Sequence, residues 1–155
     1  MKDTSLRPKY PIASQFEVGN SQPPDIFPQQ MDAPNDTVFE DFSGCLIVRV
    51  FGRAIIEDKD TVFRSMAVAI RTRSPKAVLV DMRGIAGKLT FMDRFQLGEA
   101  AGKHLAGLHL AVLALPEQAD EKQIGVLVAR NRGARIEALF TEEAAAMAWL
   151  KKWTA

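Results

Sequence analysis

At 155 residues, 47% hydrophobic and 25% charged, the chain has the size and composition of one soluble domain with a substantial core. Twenty basic and nineteen acidic residues leave a net charge of +1. That balance creates no long-range field to attract DNA, RNA or an anionic membrane, so a nucleic-acid partner is not expected. A single cysteine, Cys45, rules out an intrachain disulfide and fits a reducing cytoplasm. It opens an apolar run, where a buried structural thiol is expected. No apolar run reaches the roughly 18 residues of a membrane span. The start, MKDTSLRPKYPIAS, lacks the apolar segment of a secretory signal. A cytoplasmic protein is the expectation.

Residues 1–36 read as a flexible, Pro/Gln-rich arm. Six of the eight prolines lie there (Pro8, Pro11, Pro23, Pro24, Pro28 and Pro34), with Gln15, Gln22, Gln29 and Gln30 between them. Tyr10, Ile12, Phe16, Ile26 and Phe27 are scattered without a period. The folded domain is expected over residues 37–155.

Val38 to Phe42 and Cys45 to Phe51 read as strands joined by Ser43-Gly44 in a hairpin. Glu57 to Arg71 carries Val62, Phe63, Met66, Ala67 and Ile70 at helical spacing, and Ser74-Pro75 ends that helix. Lys76 to Asp81 is a buried strand. A short loop through Arg83, Gly84, Gly87 and Lys88 is expected at its carboxyl end. Thr90 then caps a helix from Phe91 to Ala106, with Phe91, Phe95, Gly98, Gly102 and Leu105 on one face. Its glycines allow a close approach to the sheet. Leu110 to Leu115 is a further buried strand. Pro116 and Glu117 open a helix whose Ile124, Leu127 and Val128 share a face, and Gly133 sits at a left-handed C′ position. Ala134 to Phe140 alternates as a strand near a sheet edge. Thr141 caps a last helix with Glu142 and Glu143 at its start and Lys151 and Lys152 at its end. Ala146, Trp149, Leu150 and Trp153 should face the core. The order β-β-α-β-α-β-α-β-α implies an α/β fold: a mostly parallel five-stranded sheet with helices on both faces.

The expected site is the edge at the carboxyl ends of the strands, where open α/β sheets meet their ligands. Its candidates are Asp81, Arg83, Gly84, Gly87 and Lys88. Arg83, with Lys88 and Arg94 near it, offers charge-assisted bonds to a small anion or a carboxylate-bearing partner; the plainer reading pairs it with Asp81 or Asp93. Gly84 to Thr90 imitates a phosphate-binding loop. Two residues instead of four separate its glycines, however, and Leu89 stands between Lys88 and Thr90. Nucleotide chemistry is therefore the least favoured reading. His104 and His109 have no metal-ligand spacing, and no metal or cofactor is expected. Asp81, Asp93 and Glu99 could approach one another at the sheet edge, yet solvation and capping explain them more simply. No nucleophile elbow or triad is present.

The stretches VLVDMRGIAG (78–87), LAVLALPEQ (110–118), NRGARI (131–136) and LFTEEAAAMAWL (139–150) carry a resemblance. Over residues 37–153, about three quarters of the chain, it resembles the STAS family, and within it the SpoIIAA-like and STAS/SEC14-like small bacterial proteins. The resemblance implies a STAS-like fold and a non-catalytic regulatory or protein-interaction module. Its SEC14-like side implies the alternative, a small-ligand or lipid-binding module. Antagonist members of the family carry a phosphorylatable serine in an Asp-Ser-Ser-Gly setting at a helix start. Here Asp81 matches the strand-ending aspartate, but Lys88-Leu89-Thr90-Phe91-Met92 lacks the Asp-Ser pair and the glycine. The usual phosphoserine switch is thus not expected. Thr90 is read first as an N-cap and only second as a modification site.

Overall fold

The computed structural model describes residues 37–154, so the arm expected over residues 1–36 lies outside the described residues. The fold begins with a hairpin. Strands β1 (Thr37–Phe42) and β2 (Cys45–Gly52) pair antiparallel, with Phe42 opposite Cys45. Ser43 and Gly44 both take positive φ, 50° and 88°, which a two-residue turn of this hand requires.

From β2 onward the sheet is parallel. Helices α1 (Ala54–Glu57) and α2 (Lys59–Arg73) lead to β3 (Val78–Ile85). Helix α3 (Phe91–His104) leads to β4 (His109–Leu113), α4 (Ile124–Asn131) to β5 (Arg135–Phe140), and α5 (Glu143–Lys151) closes the domain. The strand order is β1-β2-β3-β4-β5, so each crossover joins nearest neighbours. The sheet is mixed, with one antiparallel pair and three parallel ones.

Crossovers of one hand that always step in one direction stack their helices on one side. One core accordingly joins Leu46, Val48, Val50, Val78, Val80, Leu110 and Val112 to buried residues of α1 through α4. The alternate strand residues Cys45, Ile47, Ala77, Leu79, Ala111 and Leu113 face the other way, against Ala146, Trp149 and Leu150 of α5. Both faces are covered, as expected, but unevenly: among the described residues only α5 packs on the second. Trp153 is partly buried there, its ring 4.3 Å from that of His109.

Several boundaries depart from the sequence reading for identifiable reasons. An extra short helix, α1, precedes the expected one. Strand β3 runs on to Ile85, because a bulge opposite Val50 lets it keep pairing with β2: Arg49 lies beside Asp81, then Phe51 beside Gly84. The expected helix at Pro116 starts only at Ile124, after a turn in which the Gln118 amide oxygen accepts from Leu115 N at 2.7 Å. The N-cap of α5 is Glu142, not Thr141, and it makes no side-chain cap bond. Thr90 does cap α3, through a reciprocal box with Asp93: Asp93 N donates to Thr90 Oγ1 at 3.0 Å and Thr90 N to Asp93 Oδ2 at 2.9 Å. In β5 the register steps from Leu110–Ile136 to Ala111–Ala138, so Glu137 is an extra residue whose carboxylate meets His109. The bulge moves Ala138 to the face opposite Ile136, against the simple alternation.

The largest correction concerns the α3 glycines. They admit α4, not the sheet. A Cβ on Gly98 would stand 2.5 Å from the Gly125 carbonyl oxygen and 2.9 Å from Val128 Cβ; one on Gly102 would stand 2.5 Å from Arg132 Cβ. Leu97, Ala100 and Ala101 supply the sheet-facing contacts, while Phe91 and Leu127 are exposed. For Gly98→Ala, helix propensity alone favours alanine by about 1 kcal/mol. Overpacking against α4 backbone outweighs this, and a net loss of about 1–3 kcal/mol is expected in urea unfolding. An unchanged or raised midpoint would show that α4 yields freely.

Candidate functional site

Strand β2 carries one charge inside an apolar run, and β3 carries two, Asp81 and Arg83. The parallel register sets Arg49 of β2 beside Asp81 of β3. Asp81 is 5% exposed, the only buried polar or charged side chain among the described residues. Arg49 Nη1 donates to its Oδ2 at 2.7 Å. Arg83 donates three more bonds, from its backbone N, Nε and Nη2, each at 3.0 Å. Arg49 also pairs with Glu40 of β1 at 2.7 Å, and Arg83 with Glu143 of α5 at 2.9 Å. Burial pushes the Asp81 carboxyl up, but the Arg83 side-chain and backbone bonds and charge, with Arg49, outweigh it and hold the group below its usual range. The bond to Asp81 raises Arg83 further above its already high value.

This cluster ties β1, β2, β3 and the start of α5 together on the α5 face. Asp81 lies in β3 as expected, but Arg83 and Gly84, expected in the loop, lie in β3 as well. Arg83 is engaged as its plainer reading had it, with Asp81, and with Glu143 instead of Asp93. Gly84 is required by packing, since a Cβ there would fall 2.4 Å from Phe51 Cδ1 and 2.7 Å from the Val50 carbonyl oxygen. Of Asp81, Asp93 and Glu99, Asp93 follows the simpler reading, capping. Glu99 pairs with Arg132 at 3.2 Å.

Gly87 and Lys88 do lie in the loop between β3 and α3. Gly87 has φ 79°. Arg53 fills the inside of this turn, its Nη1 donating to the carbonyls of Ala86 and Lys88 at 2.9 and 3.2 Å. A phosphate-binding loop turns N–H groups toward its anion. This one turns carbonyls toward a guanidinium, which is the opposite polarity. Lys88, Thr90, Phe91 and Met92 are exposed beyond it.

A pocket of about 90 Å³ lies between the sheet and helices α3 and α4. Val80, Met82, Leu110, Val112, Ile136 and Leu139 come from the strands, Leu97, Gly98 and Ala101 from α3, and Gly125 and Val126 from α4. Its polar lining is Arg94, Gln118, Asp120 and Gln123. Arg94 holds the loop after β4: Nη1 donates to Leu89 O at 2.8 Å, Nη2 to Gln118 O at 3.1 Å, and Nε stands 3.6 Å from Asp120 Oδ1. The Gln118 amide donates to Met82 O at 2.9 Å, and Asp120 Oδ2 accepts from Ile124 N at 3.0 Å. The LPEQ junction was visible in the sequence as a strand-to-helix boundary. Its role as one wall of a pocket was not, because Arg94 and Gln118 are 24 positions apart.

The remaining reactive groups are dispersed. His104 pairs with Asp60 at 3.3 Å and His109 with Glu137. Cys45 is buried, and burial pushes its thiol up. No group of three His, Cys, Asp or Glu side chains among the described residues is placed to hold a metal ion. No helix among them is long and apolar enough to cross a membrane. Compared with protein-family models and with curated proteins, the chain matches none.

A carboxylate whose folded pKa is depressed contributes stability above its unfolded pKa, about 3.9, and that contribution is lost as pH falls through the folded value. Asp81→Asn should therefore lower stability by about 3 kcal/mol at pH 7, where two buried-side arginines lose their counter-charge. The gap to wild type should narrow below about pH 4. Urea midpoints of both proteins at pH 7 and pH 3 measure it, and a gap independent of pH would contradict the assignment.

Proposed function

We propose that the domain is a non-catalytic, cytoplasmic binding module of STAS-like type, whose task is to hold a small and mainly apolar ligand in the pocket between the sheet and α3–α4. One observation carries this reading: an apolar pocket that runs along β3, β4 and β5 to their carboxyl ends, walled there by a loop whose position depends on Arg94. Ligand sites in open α/β sheets favour this edge, and small-ligand sites combine apolar walls with a few placed polar groups. The dispersal of the histidines and the burial of Cys45 support binding over catalysis. The strand–helix order supports the STAS likeness.

Size limits the ligand. A dry apolar cavity of about 150 Å³ holds benzene; one of about 90 Å³ suits a body of roughly four heavy atoms. Xenon is a probe of that size. Under xenon pressure the methyl resonances of Leu97, Leu110, Val112 and Val126 should shift while those of α5-side residues such as Leu79 and Leu150 stay in place. A methyl spectrum that ignores xenon would remove the pocket as a ligand site.

A second reading, a protein-interaction module, is favoured by Phe91 and Met92, 59% and 54% exposed beside Lys88 at the start of α3. Arg83 is too engaged with Asp81 and Glu143 to serve as its probe. The double variant Lys88→Glu, Phe91→Ser should abolish recovery of a stoichiometric partner by the tagged protein. Undiminished recovery counts against this surface.

A further inference from the structure

The walls of the pocket differ in what holds them. The sheet wall is hydrogen-bonded strand to strand. Helices α3 and α4 meet at close range through Gly98, Gly102 and Gly125. Ile55, Phe63 and Leu89 line the pocket as buried side chains. Moving any of these exposes apolar surface to water. Residues 116–123 are a different kind of wall. They bring Gln118, Asp120 and Gln123 to the lining, yet each of the eight is exposed or half-buried, and none belongs to the core.

Among the described residues, three polar contacts tie this segment to the domain beyond its flanking residues. Arg94 Nη2 donates to Gln118 O at 3.1 Å, Arg94 Nε faces Asp120 Oδ1 at 3.6 Å, and Gln118 Nε2 donates to Met82 O at 2.9 Å. Arg94 makes two of the three and is itself anchored to Leu89 O at 2.8 Å. Two features of the closed segment work against it. Gln123 has φ 50°, a left-handed conformation that side chains of this hand rarely adopt. Arg94 Nε is buried without a hydrogen-bond acceptor, since 3.6 Å is an ion-pair distance only. Water reaches that donor once the segment lifts, so its isolation disfavours the closed form alone.

We infer that residues 116–123 are the door of the pocket and Arg94 its latch: a ligand enters and leaves when the segment swings away from Met82 and Arg94 about Leu115 and Gln123. This inference rests on the ligand-binding reading above and names its route. Opening exchanges protein hydrogen bonds for bonds to water, with a small net change, and exposes no core side chain. Every other wall must break packing to open. Arg94 is thus a positioning residue. A looser latch speeds entry and exit together, and leaves affinity almost unchanged while the closed form still dominates.

The test uses the full chain and xenon, with entry and exit rates read by saturation transfer. Arg94→Met should raise both rates about tenfold, the effect of losing two of the three contacts. Pro116→Gly, outside the lining, should raise both by about threefold at constant affinity by loosening the segment. Wild-type hydrogen exchange decides the matter even if the arginine variant folds poorly. The amides of Leu115 and Ile124 donate to Gln118 Oε1 and Asp120 Oδ2 of the segment. They should exchange through a local opening insensitive to dilute urea, while the β4 amide of Val112 waits for global unfolding. Exchange of Leu115 and Ile124 only by global unfolding, or unchanged xenon rates in a folded Arg94→Met, overturns the door and leaves the ligand-binding reading intact. No methyl response to xenon overturns both.

Discussion

The approach of α3 to α4 is the contact on which the rest of this face depends. Parallel crossovers between neighbouring strands place both helices side by side over β3, β4 and β5. How near they come is set by the absence of side chains at Gly98, Gly102 and Gly125. Gly125 in turn leaves room for the backbone of Arg94, whose carbonyl oxygen would lie 3.1 Å from a Cβ there. The same closeness that joins the helices therefore fixes the base of the arginine that holds the loop after β4. The pocket is what remains beneath: the helices meet through small residues above, while Leu97 and Ala101 reach down without filling the space against Val112 and Ile136.

The opposite face is organised by charge. A buried carboxylate is tolerable only when its charge is compensated and its lone pairs are used. Asp81 meets that condition through Arg49 and Arg83, and these carry the network outward to Glu40 and Glu143. The bulge in β3 brings the backbone N of Arg83 as well as its guanidinium to the same carboxylate. A residue pattern that looked like a recognition loop is thus a fastening between the hairpin, the parallel sheet and the last helix. The pocket lies on the other side of the sheet, where apolar side chains dominate.

Most of the elements were legible because each rests on a local rule. The Ser43-Gly44 turn, the Thr90 cap, the left-handed Gly133 and the strands with continuous or alternating apolar residues depend on neighbours within a few positions. Bulges are not local in that sense. Neither Glu137 nor the Met82–Arg83 pair announces itself as an extra residue until a partner strand sets the register. The late start of α4 has the same origin, since Gln118 is held out of a helix by Leu115 and by Met82, 36 positions earlier. One missed signal was available: Arg49, a lone charge inside CLIVRVFG, demands a buried counter-charge, and Asp81 was the candidate at hand.

The sequence by itself determined the α/β class, the order of the main elements, the hairpin and the cap of α3, because hydrophobic period and turn chemistry act over short stretches of chain. Only the tertiary structure decided that Arg83 is fastened to Asp81 and Glu143, that Gly98 and Gly102 face a helix and not the sheet, and that Arg94 borders a pocket and holds the loop after β4. Those facts depend on which groups from distant segments arrive at the same place, and on the donors and volume left over when they do. Distance in space between residues dozens of positions apart is set by packing of whole elements, which no local pattern encodes.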